Sequence, residues 1–297
     1  MQQDEITGVI RKVTWIGLIV NIALAAIKFT TGIYGKSQAM VADAVHSLSD
    51  STTDIAILIG ASYWSQPPDE EHPYGHQRIE TVVTIFIGLL LTTVAVGIGW
   101  DAVSSLHHKN PDPPTKIALF GAIISIISKE ILYRWTAKEG KRVKSMALVA
   151  NAWHHRSDAL SSIPALLAVG GSLLFPNWTF LDLIGAIVVS IFILQTAIKI
   201  TFPRVKELID VSAPDDVREK ILSIAENTDN VLEAHRLRSR YLGSQFQIDV
   251  HVVVDSQITV QAGHDIAETV TERILTLCEE VVDVVVHIEP EDAILKK

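Results

Sequence analysis

The sequence has a single cysteine, Cys278, in 297 residues. A lone cysteine has no intrachain disulfide partner, and a structural zinc site built from several thiolates is excluded as well. A metal site in this chain would therefore use histidine and carboxylate ligands. The chain also lacks His-Glu-x-x-His, Gly-x-Ser-x-Gly and Walker motifs. Nothing in it indicates a metalloprotease, a serine hydrolase or a pump that hydrolyses ATP, and it is not predicted to be an enzyme.

Positive charge is scarce in the last third of the chain. Residues 1–205 contain 16 Lys and Arg against 15 Asp and Glu, whereas residues 206–297 contain 9 against 19. The net charge of −9 thus arises in the last third, and an acidic chain without a basic patch is not expected to bind nucleic acid. The first residues, Met-Gln-Gln-Asp-Glu, lack the basic region of a signal peptide, so the first apolar segment is predicted to be retained.

Apolar residues dominate the first two thirds. Hydrophobic residues make up 48% of the chain and charged residues 20%, which favours a protein embedded in a lipid bilayer. Six apolar segments are long enough to cross a bilayer core of about 30 Å as helices. Nine flanking Lys and Arg residues on one side against three on the other predict cytoplasmic N- and C-termini, in a cell inner (plasma) membrane. The segments run approximately over residues 13–33, 39–64, 79–106, 117–133, 147–175 and 181–202.

The hydrophobic period changes after residue 202. It predicts a helix over 215–228, strands over 231–239 and 245–255, a helix over 260–277 and a strand over 281–289. This α-β-β-α-β order is that of a small α+β domain of the ferredoxin-like, metallochaperone type, whose limited core favours dimerisation. The sequence therefore predicts a six-helix transmembrane domain (1–206), a linker (207–214) and a cytoplasmic domain that binds metal and dimerises (215–297).

Two of the predicted spans contain a His-x-x-x-Asp pair. His46 and Asp50 lie in the second span, and His154 and Asp158 lie in the fifth. Residues four apart share one helix face, so two facing helices would offer two imidazoles and two carboxylates, a set that tetrahedral Zn²⁺ accepts. Because an ionisable residue at mid-bilayer costs about 2.5–3.5 kcal/mol, a functional site is favoured over polar pairs that only stabilise the bundle.

Further polar residues extend these two helix faces and predict a hydrated path. His155 points about 100° away from His154 and is predicted to pack rather than to bind metal. Asn21 and Lys28 of the first span could line the same path. For Lys28, snorkelling to the membrane surface is an equal alternative. The further polar residues that extend the two helix faces are Asp43 and Asp54 on the second span and Asn151 and Ser161 on the fifth.

Two more histidine clusters lie outside the predicted spans. Asp69, His72 and His76 in the loop 69–76 could close on one metal, although an ordinary acidic loop is the alternative. His107 and His108 are predicted to be solvent-exposed. The tail is predicted to hold a metal cluster, with scattered surface histidines as the alternative, and its candidate ligands are His235, His251, His264, His287 and Glu289.

Together these motifs resemble the cation diffusion facilitator family over essentially the whole chain. The closest local matches are Ala-Asp-Ala-Val-His-Ser-Leu-Ser-Asp at 42–50 and His-Pro-Tyr-Gly-His at 72–76. The resemblance implies a homodimeric exporter of divalent metal that works by alternating access and is driven by proton influx. It carries the intramembrane, loop and tail sites over to the residues named above, although Glu289 is an inexact match because relatives with two tail zinc ions often have Asp there. It also implies that Arg78 and Asp210 pair the two domains across the dimer.

The ligand types bear on the metal. In the family, His at the first ligand position is typical of zinc carriers, and Asp in both helices of manganese carriers. His46 and His154 therefore favour Zn²⁺, with Fe²⁺, Mn²⁺, Co²⁺ and Cd²⁺ as alternatives. The competing hypothesis, from another functional class, is a membrane-anchored metal sensor that transports no metal. A metalloenzyme ranks below it, because a saturated site of two His and two Asp leaves no open catalytic position.

Overall fold

A computed structural model describes residues 3–106, 113–243 and 245–291, except for the side chains of 3–7, 53, 54, 57–59, 61, 62 and 176. The predictions for Asp54, His107 and His108 lie outside this description. A 3₁₀ turn at Pro176–Trp178 precedes the helix that begins at Phe180. The elements are α1 (Gln3–Tyr34), α2 (Gln38–Trp64), α3 (Gln77–Leu106), α4 (Lys116–Arg142), α5 (Met146–Ser161), α6 (Ile163–Leu174), α7 (Phe180–Leu208), α8 (Asp215–Glu226), β1 (Glu233–Leu242), β2 (Gln245–Val254), α9 (Val260–Leu277) and β3 (Val281–Pro290).

Each predicted apolar segment coincides with one helix or, for the fifth, with two. Within the described ranges, four helical stretches are long and apolar enough to cross a membrane: Gly8–Tyr34, Gln77–Leu106, Met146–Leu174 and Phe180–Leu208. Helices α2 and α4 have 27 residues each, which is long enough. Charged residues such as Asp43 and Asp50 in α2 and Lys129 in α4 lower their hydropathy. The six-span topology therefore stays a prediction.

The fifth segment is interrupted at Ser162. Pro164 has no N–H and cannot donate to the carbonyl of Leu160, so the helix cannot continue regularly through this point. The Ser162 N–H donates to the Leu160 carbonyl instead. The segment is thus divided into α5, which carries His154 and Asp158, and the apolar α6.

One compact unit comprises residues 1–59 and 86–201. Its core is rich in alanine, and these small side chains allow close approach of neighbouring helices. Gly121 marks one such approach, because a Cβ there would collide with the Thr31 hydroxyl of α1. The fully buried alanines of this core include Ala39, Ala42, Ala102, Ala118, Ala122, Ala165, Ala186 and Ala197.

The second compact unit comprises residues 60–85 and 202–297. It contains a mixed three-stranded sheet in the order β1-β2-β3, with β1 antiparallel and β3 parallel to β2. Helix α9 makes the crossover that the parallel pair needs. The α-β-β-α-β order predicted for the tail is confirmed, with element ends within three residues of the prediction. Cys278 is buried in this core, and burial raises the pKa of its thiol.

A buried carboxylate joins the helix ends of this unit to the β1–β2 turn. Glu207 accepts hydrogen bonds from Thr81 Oγ1 at 2.6 Å and from the Gly243 N–H at 2.9 Å. Gly243 has a φ of +65°, which a glycine adopts without strain. Arg78 and Asp210 form an ion pair at 3.1 Å within the same chain. The predicted linker over 207–214 begins inside α7, which ends at Leu208, and the domain boundaries stay a prediction.

Candidate metal sites

The four residues predicted for the intramembrane site lie on α2 and α5. Asp50 is half-buried and lies within electrostatic range of His46, His154 and Asp158. His154 Nε2 is 3.8 Å from Asp158 Oδ1. His46 and Asp158 are buried, whereas His154 is exposed. The fold thus brings the two His-x-x-x-Asp pairs to one region. Among the described residues, ligand sets with all atoms within 4.8 Å of one another occur only in the loop and the tail.

A lysine that the sequence analysis did not single out lies in the same region. Lys129 of α4 is 2% exposed, and its Nζ donates to Asp158 Oδ2 at 2.7 Å and to Asn21 Oδ1 at 2.8 Å. The available signal was a Lys within the apolar segment 117–133. An ionisable residue inside a span indicates function by default.

A second buried lysine corrects two predictions. Lys28 is fully buried, so the snorkelling alternative is wrong. Its Nζ lies 2.8 Å from Asp43 Oδ2, 2.7 Å from Ser47 Oγ and 2.8 Å from Ser162 Oγ. Asp43 is also fully buried and faces Lys28, not the hydrated path predicted for it.

The remaining polar residues of the helical unit are placed as follows. His155 is buried, and its ring lies against Gly17 of α1, which agrees with a packing role. Asn21, Asn151 and His155 line a cavity of about 390 Å³ between α1 and α5. The Ser161 hydroxyl donates to the Asp158 carbonyl and stabilises the end of α5.

The three predicted loop ligands converge on one point. His72 Nδ1 lies 3.5 Å from Asp69 Oδ1, and His76 Nε2 lies 3.3 Å from Asp69 Oδ2. The His72 N–H donates to Asp69 Oδ1 at 2.6 Å, and this hydrogen bond lowers the pKa of the Asp69 carboxyl. Gly75, with a φ of +82°, makes the tight turn that returns His76 to the cluster. The lowered pKa keeps the carboxylate charged, and the three side chains could hold a metal ion together.

The tail ligands are aligned by strand register. His235, His251 and His287 are direct neighbours across β1, β2 and β3 and form one row on the sheet. Glu289 Oε1 lies 2.7 Å from His251 Nδ1, and Oε2 lies 3.2 Å from His235 Nε2. The hydrogen bond with His251 lowers the pKa of Glu289. His235, His251 and Glu289 thus form a compact group that could hold a metal ion.

The other two tail residues are placed differently. His287 Nε2 is 3.9 Å from Glu289 Oε1, at the margin of the set. His264 is exposed on α9, and its Nε2 lies 3.3 Å from Glu268 Oε1. The structure does not bring His264 to the other tail ligands, because it lies on a helix and not in the histidine row.

Replacing His251 by alanine is expected to weaken Zn²⁺ binding at the tail by about tenfold or more, because the central ligand of the row is lost. Calorimetric titration of the full chain in detergent would show one class of sites lost or weakened. His264→Ala is the matched control and should leave that class unchanged. Equal titrations of the native and His251→Ala chains would contradict the tail assignment.

The family follows from comparison with known proteins. The protein-family model for the cation efflux transmembrane domain matches residues 14–209. The family model for the cation efflux protein cytoplasmic domain matches residues 213–291. The chain belongs to the cation diffusion facilitator family. As a cation diffusion facilitator it is a divalent metal transporter, with a helical transmembrane domain followed by a cytoplasmic domain.

Three relatives illustrate the similarity. The chain is 37% identical to metal tolerance protein C1 of Arabidopsis thaliana over 94% of its own length, and it spans 62% of that plant protein. It is 34% identical to the manganese efflux system protein MneP of Bacillus subtilis, over 94% of this chain and 96% of that one. It is 36% identical to an uncharacterized transporter of Methanocaldococcus jannaschii, over 93% and 97% of the two chains.

Proposed function

We propose that this chain exports Zn²⁺ from the cytoplasm in exchange for protons, by alternating access to a site formed by His46, Asp50, His154 and Asp158. The observation that supports the proposal is that Asp50 of α2 lies within electrostatic range of His154 and Asp158 of α5, which are 3.8 Å apart. Two imidazoles and two carboxylates match the number and type of ligands that Zn²⁺ takes.

The exchange follows from the ligand chemistry. Imidazole binds metal only in its neutral form, and its ordinary pKa of about 6.5 lies close to cytoplasmic pH. Metal arriving from the cytoplasm therefore displaces protons from His46 and His154, and protons on the other side compete for the same nitrogens. Asp50 and Asp158 supply two negative charges that offset the divalent ion. This lowers the cost of holding the ion at membrane depth.

The surrounding architecture is part of the proposal. Six spans would place the N- and C-termini in the cytoplasm of a cell inner membrane, and the chain would work as a homodimer. The tail carries most of the negative charge of the chain, which would concentrate cations near the cytoplasmic opening. The loop site (Asp69, His72, His76) and the tail site (His235, His251, His287, Glu289) would bind regulatory Zn²⁺. Within the homodimer, Arg78 and Asp210 would hold the tail against the helix ends.

Manganese is the second candidate metal. It is favoured by the similarity to a relative named for manganese efflux. The two proposed imidazole ligands disfavour Mn²⁺, because Mn²⁺ prefers oxygen ligands and imidazole nitrogen suits Zn²⁺. The two hypotheses share the site and differ in which ion it binds more tightly.

Flux measurements on the purified native chain test the proposal. Proteoliposomes that contain a zinc dye and a pH dye should show Zn²⁺ accumulation coupled to proton movement in the opposite direction, with Zn²⁺ taken up faster than Mn²⁺, Co²⁺, Cd²⁺ or Fe²⁺. Empty liposomes give the background. Metal binding without flux would favour the membrane-anchored sensor, and faster Mn²⁺ uptake would replace zinc by manganese as the substrate.

A further inference from the structure

The helical unit contains two buried lysine–aspartate pairs with similar geometry and different surroundings. Lys28 lies 2.8 Å from Asp43, and Lys129 lies 2.7 Å from Asp158. Both lysines are almost completely buried. Lys28 also donates to two serines and is thus held by three partners. Lys129 instead pairs with a proposed metal ligand and with one neutral partner, Asn21.

Lys129 engages one carboxylate oxygen of a proposed metal ligand. Its ammonium holds Asp158 Oδ2, while Asp158 Oδ1 is turned toward His154. It also lies within electrostatic range of Asp50. One positive charge is therefore built into the group of ligands that would hold a divalent cation.

The net charge of the proposed intramembrane site indicates the role of Lys129. With neutral imidazoles, Asp50 and Asp158 alone would leave a charge of about −2 in a region of low dielectric constant, where unbalanced charge is costly. Lys129 reduces this to about −1 without a metal, and it opposes an arriving cation by Coulomb repulsion. A divalent ion would have to compete with the ammonium for Asp158 as well.

We propose that Lys129 is a tethered counter-ion that holds Asp158 when the site contains no metal and thereby keeps Zn²⁺ binding weak enough for release. Lys129 is a positioning residue and not a ligand. The inference rests on the proposed function, because it requires Asp158 to be a metal ligand. A carrier without this charge would bind Zn²⁺ more tightly and release it more slowly.

The test compares Lys129→Met with the matched variant Lys28→Met. Both are made in the full chain carrying His72→Ala, His76→Ala, His235→Ala, His251→Ala and His287→Ala, so that calorimetric titration with ZnCl₂ reports the intramembrane site. Lys129→Met should lower the Kd for Zn²⁺ about 10- to 100-fold through the loss of repulsion. Lys28→Met should change it less than about twofold, because Lys28 contacts none of the proposed ligands. Lys129→Arg, which keeps the charge, should stay near the parent value.

Flux gives a readout that a purely structural role would not move. In proteoliposomes Lys129→Met should lower both the KM and the maximal rate for Zn²⁺, because tighter binding slows release. If this variant is not monodisperse, Lys129→Gln replaces it, because glutamine removes the charge and keeps a hydrogen-bond donor. Lys129→Gln should lower the KM and the maximal rate in the same way. A Kd that is unchanged or raised in the charge-removing variant, or lowered equally in Lys28→Met, would overturn the inference.

The parent chain, with its five His→Ala substitutions, also distinguishes a failure of the Lys129 inference from a failure of the proposed function. Adding His46→Ala and His154→Ala to it should abolish the remaining Zn²⁺ binding. If binding persists there, the proposed site itself is wrong. If binding is abolished there but Lys129→Met leaves the Kd unchanged, only the role of Lys129 is refuted.

Discussion

Zn²⁺ uptake into proteoliposomes is expected to fall about 100-fold or more when Asp50 is replaced by asparagine. The substitution keeps the size of the side chain and removes one of the two charges that offset the ion. Asp50 is half-buried and lies within electrostatic range of both proposed histidine ligands, so its charge would act directly on an ion that they hold. The measurement is the initial rate of zinc-dye fluorescence at saturating external Zn²⁺.

The control for this prediction is Asp101→Asn on α3. Asp101 is an exposed carboxylate that accepts a hydrogen bond from Gln38, and its loss should leave the rate within about twofold of native. Asp158→Ala is a less clean test, because it leaves the Lys129 ammonium buried without a carboxylate, at a cost of about 3–5 kcal/mol. Native-like uptake by Asp50→Asn would remove Asp50 from the site.

The ratio of Zn²⁺ to Mn²⁺ uptake is expected to fall about 100-fold when His46 and His154 are both replaced by aspartate, because oxygen ligands favour Mn²⁺ and the imidazole nitrogens that favour Zn²⁺ are gone. The two ions are compared in one assay, by external competition against a fixed Zn²⁺ concentration. The ratio is informative because a loss of folded protein lowers both rates together.

A control with the same kind of substitution exists in the tail. His264→Asp adds a carboxylate at an exposed position where the side chain faces Glu268, and it should leave the uptake ratio unchanged. A ratio that stays at the native value in the double aspartate variant would show that these two side chains do not select the metal.

The candidate intramembrane site could be proposed from the sequence because its signal is local. A His and an Asp four residues apart share a helix face whatever the rest of the fold does. The loop site is local in the same way, since Asp69, His72 and His76 lie within one turn that Gly75 closes. The tail histidines needed strand register as well, and alternation along the predicted strands supplied most of it.

The residues that sequence reasoning missed or misplaced depend on partners elsewhere in the chain. Lys129 pairs with Asp158, 29 residues away, and with Asn21, 108 residues away. For Lys28, the position near a helix end left snorkelling to the membrane surface as one of two alternatives, but Asp43 and Ser162 hold the residue in the interior. The helix period predicts which way a side chain points from its own helix. The packing of the helices determines which charged residue that side chain contacts.

The interruption at Ser162 bears on how the ligand-carrying segment can move. A continuous helix would pass any tilt of His154 and Asp158 along the whole span, whereas an interrupted one lets α5 pivot while α6 stays packed. The Ser162 hydroxyl donates to Asp43 and accepts from Lys28, so this pivot is also tied to α1 and α2. Hydrogen bonds therefore hold the interruption in one position. Its release would require breaking the contacts of Ser162 with Asp43 and Lys28, and also its hydrogen bond to the backbone carbonyl of Asp158.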